Sequence, residues 1–153
     1  MKTIEEQELR DYKTAERIIR GLFGKNLVNM EKLEQYSPVD CAYTACTKTY
    51  AMEIKQTTKD VYLTDGFLLK ITKYLKIKQW VKDKGHHPYI IYLCKGKKKY
   101  YIFDVDTIQL NEDTMVIKQL KKTEYKVDSV MEETPCIILR CEDAIMYGDY
   151  EEC

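Results

Sequence analysis

The sequence predicts a mixed α+β domain in which helices cover a central sheet. Two segments, residues 3–22 and 65–84, carry apolar residues at three-four spacing, the signature of amphipathic helices. Alternating or continuously apolar runs lie between and after them and read as strands, so the order is helix, strands, helix, strands. Only 6 Gly and 3 Pro among 153 residues leave few sharp turns, which fits long elements better than a turn-rich β sandwich.

Composition removes several function classes. The chain is 44% apolar and 33% charged, with 25 basic residues against 25 acidic ones, so it is neither a disordered tail nor a globally basic nucleic-acid coat. Any polyanion site must come from local clustering. No run approaches the roughly 20 apolar residues of a membrane helix. The segment from Met1 to Arg10 is charged and has no signal-peptide core. Six cysteines, at Cys41, Cys46, Cys94, Cys136, Cys141 and Cys153, are therefore expected to be reduced thiols in a cytoplasmic setting, several acting as small buried hydrophobes. With no repeat, low-complexity linker or domain break, residues 1–153 are expected to form one domain, and 110–153 its less certain C-terminal extension.

In the first helix, Leu9, Tyr12, Ala15, Ile19, Leu22 and Phe23 make the apolar stripe, ended near Gly21 to Gly24. Residues 29–35 read as a linker with one further helical turn. Residues 36–44 read as a strand with Pro38 at its entry, and 47–55 as its antiparallel partner across a short turn. In the second strand Tyr50, Met52 and Ile54 alternate with Ala51, Glu53 and Lys55. Glu53 and Lys55 therefore share one face, opposite Ile54. The second helix takes its stripe from Phe67, Leu68, Ile71, Tyr74 and Leu75, with Lys70, Lys73, Lys76 and Lys84 towards the other side; Gly85-His86-His87-Pro88 stops it. Residues 89–94 and 99–105 form a hairpin around Lys95-Gly96-Lys97-Lys98. Residues 136–140 read as a strand, and 143–147 as a weak strand or closing turn.

Three groups stand out for chemistry: Asp40, Glu53 thirteen residues on, and Lys55 two beyond that. Neighbouring strands joined by a turn can set Asp40 beside the Glu53 and Lys55 face. Paired carboxylates repel unless a cation lies between them. Hard oxygen ligands with room for waters suit Mg²⁺ or Mn²⁺, and the Ile54 carbonyl could add a further oxygen. Such an ion activates water and offsets charge on a pentavalent phosphate, while Lys55 would orient or deprotonate that water.

Ser37-Pro38-Val39-Asp40 and Met52-Glu53-Ile54-Lys55-Gln56 resemble the motif of the PD-(D/E)XK nuclease superfamily, whose fold is restriction-endonuclease-like. The resemblance spans residues 3–105, and the implied core order is αβββαβ. Its specificity lies in an Asp at the right offset within a hairpin between two helices. An acid-x-Lys triplet alone arises by chance in many chains this charged. One departure is Val39, which separates Pro38 from Asp40. The resemblance implies a Mg²⁺- or Mn²⁺-dependent endonuclease acting on DNA, with a phage, mobile-element or resolvase-like context. The compartment would be the cytoplasm, or the host's cytoplasm for a phage enzyme, and the homodimer is a common state of such enzymes. It also implies a Glu on the first helix joining the metal site, best matched by Glu16, with Glu5, Glu6 and Glu8 as competitors. Gln56 would support the motif as the polar residue after its lysine.

Basic residues around this site admit two readings. Lys95, Lys97, Lys98 and Lys99 form the densest run, either a solvated turn that discourages edge pairing or a phosphate contact beside the cleavage site. Lys70 and Lys73 are expected to face outward, with Lys70 approaching the scissile phosphate. His86-His87 has no second ligand pair at zinc spacing, the cysteine pairs Cys41/Cys46 and Cys136/Cys141 lack it too, and Cys94 with His87 makes a poor thiol site. The absence of a phosphate-cradling Gly loop or Rossmann fingerprint argues against a nucleotide cofactor. The rival to catalysis is a nuclease-like binding module that offers Tyr-rich strands 89–101 to a protein or nucleic-acid partner.

Overall fold

Thr3 opens α1 (Ile4–Phe23) with a capping box, in which its hydroxyl accepts from the Glu6 amide and the Glu6 carboxylate accepts from the Thr3 amide, both at 3.1 Å. The helix ends on Gly24, whose φ of 54° suits glycine. In this computed structural model residues 3–121 and 130–152 are described; Met1, Lys2, residues 122–129 and Cys153 lie outside them. Tyr12, Ala15, Ile18 and Ile19 form the buried stripe of α1, whereas Leu9 and Leu22 are exposed.

The next segment departs from the expected helical turn. Residues Leu27–Lys32 form β1, antiparallel to β2 (Cys41–Ala45), with Met30 opposite Tyr43. A register shift between Leu27 and Asn29 breaks the period of two, so the half-buried positions are Leu27 and Met30, three apart. That spacing imitates a helix in the sequence. The expected strand at 36–44 also shifts: residues 36–40 are turns and bends, and pairing starts at Cys41. Across a tight turn at Cys46, β3 (Lys48–Thr57) pairs with β2 as expected.

The single helix expected over 65–84 is three elements: the one-turn α2 (Tyr62–Asp65), the strand β4 (Phe67–Lys70) and α3 (Ile71–Lys84). Gly66, at φ 94°, makes the break; a Cβ there would lie 2.5 Å from Ile138 Cγ2. Phe67 and Leu69 are buried by alternation in β4, which pairs antiparallel with β8 (Met131–Leu139). Both residues also fit helical spacing to Ile71 and Tyr74, so the periods coincide there.

As expected, β5 (His87–Cys94) and β6 (Lys99–Asp104) form a hairpin. The C-terminal region adds β7 (Met115–Lys121), absent from the sequence expectation, and β9 (Met146–Asp149). The strands make a six-stranded mixed sheet, β1-β2-β3-β5-β6-β9, and a three-stranded sheet, β4-β8-β7. Among the described residues, only β3 and β5 run parallel in the larger sheet.

Alternation divides the core between the two faces of the large sheet. Tyr43, Met52, Ile91 and Ile102 pack with Ala15 and Ile19 of α1. Ala51, Ile90 and Phe103 pack with Tyr74, Ile77 and Val81 of α3 and with Phe67, Leu69 and Ile137 of the small sheet. Among the described residues, Cys41, Cys46, Cys94, Cys136 and Cys141 are free thiols. No helix among those residues is long and apolar enough to cross a membrane.

Candidate active site

The β2–β3 register builds the site. Cys41 stands opposite Met52, the last pair of the ladder, and Asp40, one residue before it, brings its carboxyl within hydrogen-bond reach of the Glu53 carboxyl. The regular register does not extend to Asp40, and its side chain turns back towards β3. Beyond Cys41 the backbone pairing ends: the Asp40 amide still donates to the Met52 carbonyl at 3.1 Å, and the Ile54 amide donates instead to Asp40 Oδ2 at 2.7 Å. A strand residue's N–H and C=O share one flank. The Ile54 carbonyl therefore opens to the side where Asp40 lies.

Glu53 is 5% exposed. Burial pushes its carboxyl up to about 8, and the charge and hydrogen bond of Asp40 push in the same direction, while Lys73 and Lys55 oppose them. Lys55 Nζ lies 4.0 Å from Glu53 Oε2, and Lys73 Nζ lies 2.9 Å from the same oxygen. Behind the pair, burial raises the Cys41 thiol, reinforced by the charges of Asp40, Glu53 and Glu16. Cys41 is thus a packed wall and no nucleophile.

The donor set fits a hard divalent cation. Two carboxylates meet at one place, one of them desolvated and in need of positive charge, with a carbonyl opening to the same flank. Asp40, Glu53 and the Ile54 carbonyl are the groups that could hold it. Among the described residues, no three His, Cys, Asp or Glu side chains cluster as a metal centre.

No protein-family model matches the sequence, and no curated protein matches it. Among solved structures, the fold is similar to that of Hjc, a Holliday junction resolvase from the archaeal hyperthermophile Archaeoglobus fulgidus. The TM-score is 0.50 over 84% of this chain and 83% of that one, at 9% identity. The chain has the restriction-endonuclease-like fold. Its mixed central sheet and flanking helices are those expected from the αβββαβ order.

On this restriction-endonuclease-like framework, two expected contributors come from other directions. Glu16 is on α1, which packs on the sheet face opposite Glu53; its carboxylate accepts from the Tyr12 hydroxyl at 3.2 Å and pairs with Arg20 at 3.5 Å. Gln56 is exposed, and period two places it on the face of Ile54, away from Glu53 and Lys55.

The lysines separate as well. Lys73, expected to face outward, turns in to Glu53. The expected stripe counted Phe67 and Leu68 as helical, which rotates the inferred buried face. Counted from Ile71, the fully buried Ile77 and the buried Val81 sit four and eight residues after Lys73. That is the signal that could have found it. Lys70 closes β4 and stands at the N-cap of α3, half-buried. In the β5–β6 turn Lys95 reaches Asp11 at 2.8 Å, Lys97 lies 4.0 Å from Asp60, and Lys98 is exposed at φ 52°. Thr57 pairs with Cys94, so this turn lies beyond the end of β3, about 13 Å along the strand from Glu53. The Tyr-rich strands direct much of their aromatic surface inward: Tyr92 stacks on Phe67 at 4.3 Å, and Tyr92 and Tyr100 are buried.

Proposed function

We propose that the chain is a metal-dependent nuclease that hydrolyses phosphodiester bonds in DNA, built as one domain over residues 1–153. The observation that carries this reading is the Asp40–Glu53 carboxyl pair, half-buried Asp40 against buried Glu53, with the Lys55 ammonium 4.0 Å from Glu53. Asp40, Glu53 and the Ile54 carbonyl would hold Mg²⁺ or Mn²⁺. When bound, that ion supplies an activated water and offsets charge on the phosphate. The protein's own groups do the rest. The Ile54 amide fixes the Asp40 carboxylate, and Lys55 orients the attacking water and stabilises the negative charge that develops. Lys97 and Lys98 reach the backbone of a duplex laid across the end of β3, and Lys70 stands nearer the scissile phosphate. One site handles one strand, so cutting both strands calls for two copies, and a branched duplex is the substrate class to test first. The working compartment is the cytoplasm.

The deciding experiment incubates the folded protein with supercoiled, linear and four-way-junction DNA in Mg²⁺ or Mn²⁺, beside Glu53→Gln. Cleavage by the wild type, lost in the variant and in EDTA, supports the proposal; an intact set of substrates under all conditions overturns it. The ion pair between Lys73 and Glu53 favours one second reading, a nuclease-like binding module whose acidic pair is neutralised by lysine. On that reading Mn²⁺ leaves the melting temperature unchanged in both proteins, whereas the nuclease is stabilised by Mn²⁺ only with Glu53 intact.

A further inference from the structure

We propose that Lys73 is a resident counter-ion, which holds Glu53 in the metal-free protein and is exchanged for the divalent cation when the site loads. This inference rests on the metal-site reading above and concerns what controls that site's affinity.

Geometry singles out Lys73 over the motif lysine. Both ammonium groups address Glu53 Oε2, Lys73 from 2.9 Å and Lys55 from 4.0 Å. Lys73 therefore makes the direct charge-assisted hydrogen bond, and Lys55 stands one step back. The carboxylate side chain is 6% exposed and that of Lys73 is 26% exposed. The lysine thus connects a desolvated acid to the surface, and its four-carbon stem lets the ammonium leave while its Cα stays in place.

Its position on α3 works against its positive charge. Lys73 is the third residue of that helix, whose first turn has no acidic residue and whose N-cap makes no side-chain hydrogen bond. A cation there opposes the helix dipole. Glu53 is what holds it in place, and a ligand that takes Glu53 removes the reason for it to stay.

Charge balance points the same way. Above about pH 8, where Glu53 is ionised, Asp40 and Glu53 carry two negative charges, and Lys55 and Lys73 carry two positive ones. A divalent cation added to that neutral set leaves a surplus of two positive charges in a desolvated place. Expelling Lys73 relieves part of the surplus, and a phosphodiester anion relieves more. Lys73 thus sets a threshold: it weakens the site for the ion alone and couples loading to the arrival of a phosphate.

Calorimetric titration of Mn²⁺ into wild type, Lys73→Met, Lys73→Arg, Lys55→Met and Asp40→Asn, at one ionic strength and a single pH above 8 so that Glu53 is ionised, tests this without any reaction. The expected result is binding roughly tenfold tighter in Lys73→Met, near wild-type affinity in Lys73→Arg, and a smaller gain in Lys55→Met. Circular dichroism establishes that each variant is folded, and Lys73→Gln serves if the methionine variant is not. Equal or weaker Mn²⁺ binding in the neutral variants, with binding lost in Asp40→Asn, overturns the counter-ion role and leaves the metal site standing. Mn²⁺ binding that Asp40→Asn does not diminish overturns both.

Discussion

The amide of Ile54 donates to Oδ2 of Asp40 at 2.7 Å, so the backbone of one motif strand holds the carboxylate of the other. This hydrogen bond occupies the place where the β2–β3 ladder would have continued, because β2 begins only at Cys41. A side chain has replaced a backbone acceptor, and the strand end has become a site. Asp40→Ala leaves the Ile54 amide without its partner and removes the charge that presses on Glu53. The expected cost is about 1.5–3 kcal/mol of stability, measured by urea denaturation. Asp40→Asn keeps an acceptor and is expected to cost less.

Glu53 makes stability depend on pH. Its carboxyl is raised in the folded protein to about 8 from an ordinary 4.5, first by burial and then by Asp40. The folded state therefore binds the proton more tightly than the unfolded state between these values. Its contribution is fully present below pH 4.5 and is lost as pH rises through 8. Metal-free protein is expected to lose on the order of a few kcal/mol from this group over that window. Glu53→Gln should flatten the curve, and Mn²⁺ should flatten it in the wild type. Denaturant midpoints from pH 5 to 9 measure both, and an equally steep curve in Glu53→Gln would place the effect elsewhere.

The core of the candidate site is legible in the sequence because a strand's period of two is rigid. Glu53 and Lys55 had to share a face, and a short turn had to bring Asp40 beside them. Elements that depend on distant pairing are not legible. β1 hides behind a register shift that spaces Leu27 and Met30 like a helix. Phe67 and Leu69 satisfy both periods, and only β8, some seventy residues away, decides for a strand. That choice sets the phase of α3, so reading β4 as helix hides the inward turn of Lys73. Glu16 lies on α1, where Tyr12 and Arg20 engage its carboxylate, and its charge reaches Cys41 next to Asp40.

Gly66 tests the link between the small sheet and the site. Its φ is 94°, and an added Cβ would meet Ile138 Cγ2 at 2.5 Å and the Leu139 carbonyl at 3.2 Å. Gly66→Ala combines backbone strain with a clash against β8 and is expected to destabilise by about 2 kcal/mol. Strand β4 leads directly into α3, so a displaced β4 also carries Lys73 away from Glu53. A folded Gly66→Ala protein should show a changed Mn²⁺ affinity although it alters no charged residue. Unchanged stability would contradict the positive φ.

The β5–β6 turn separates packing lysines from lysines open to DNA. Lys95 reaches Asp11 at 2.8 Å, both side chains being mostly buried, and ties the turn to α1. Lys95→Met leaves Asp11 without that partner in a largely desolvated place, and about 2 kcal/mol of stability should go with it. Lys97 is 57% exposed and only loosely placed against Asp60, and Lys98 is exposed. Lys97→Gln with Lys98→Gln should leave the unfolding midpoint unchanged. DNA affinity should fall in that double variant, and the slope of log K against log salt should drop by about 0.9 for each phosphate that a lysine no longer neutralises. The three measurements are mutually checking. If the double variant binds DNA with the wild-type slope, the turn is a solvated cap on the hairpin, and the duplex must approach the carboxylates from the Lys70 side.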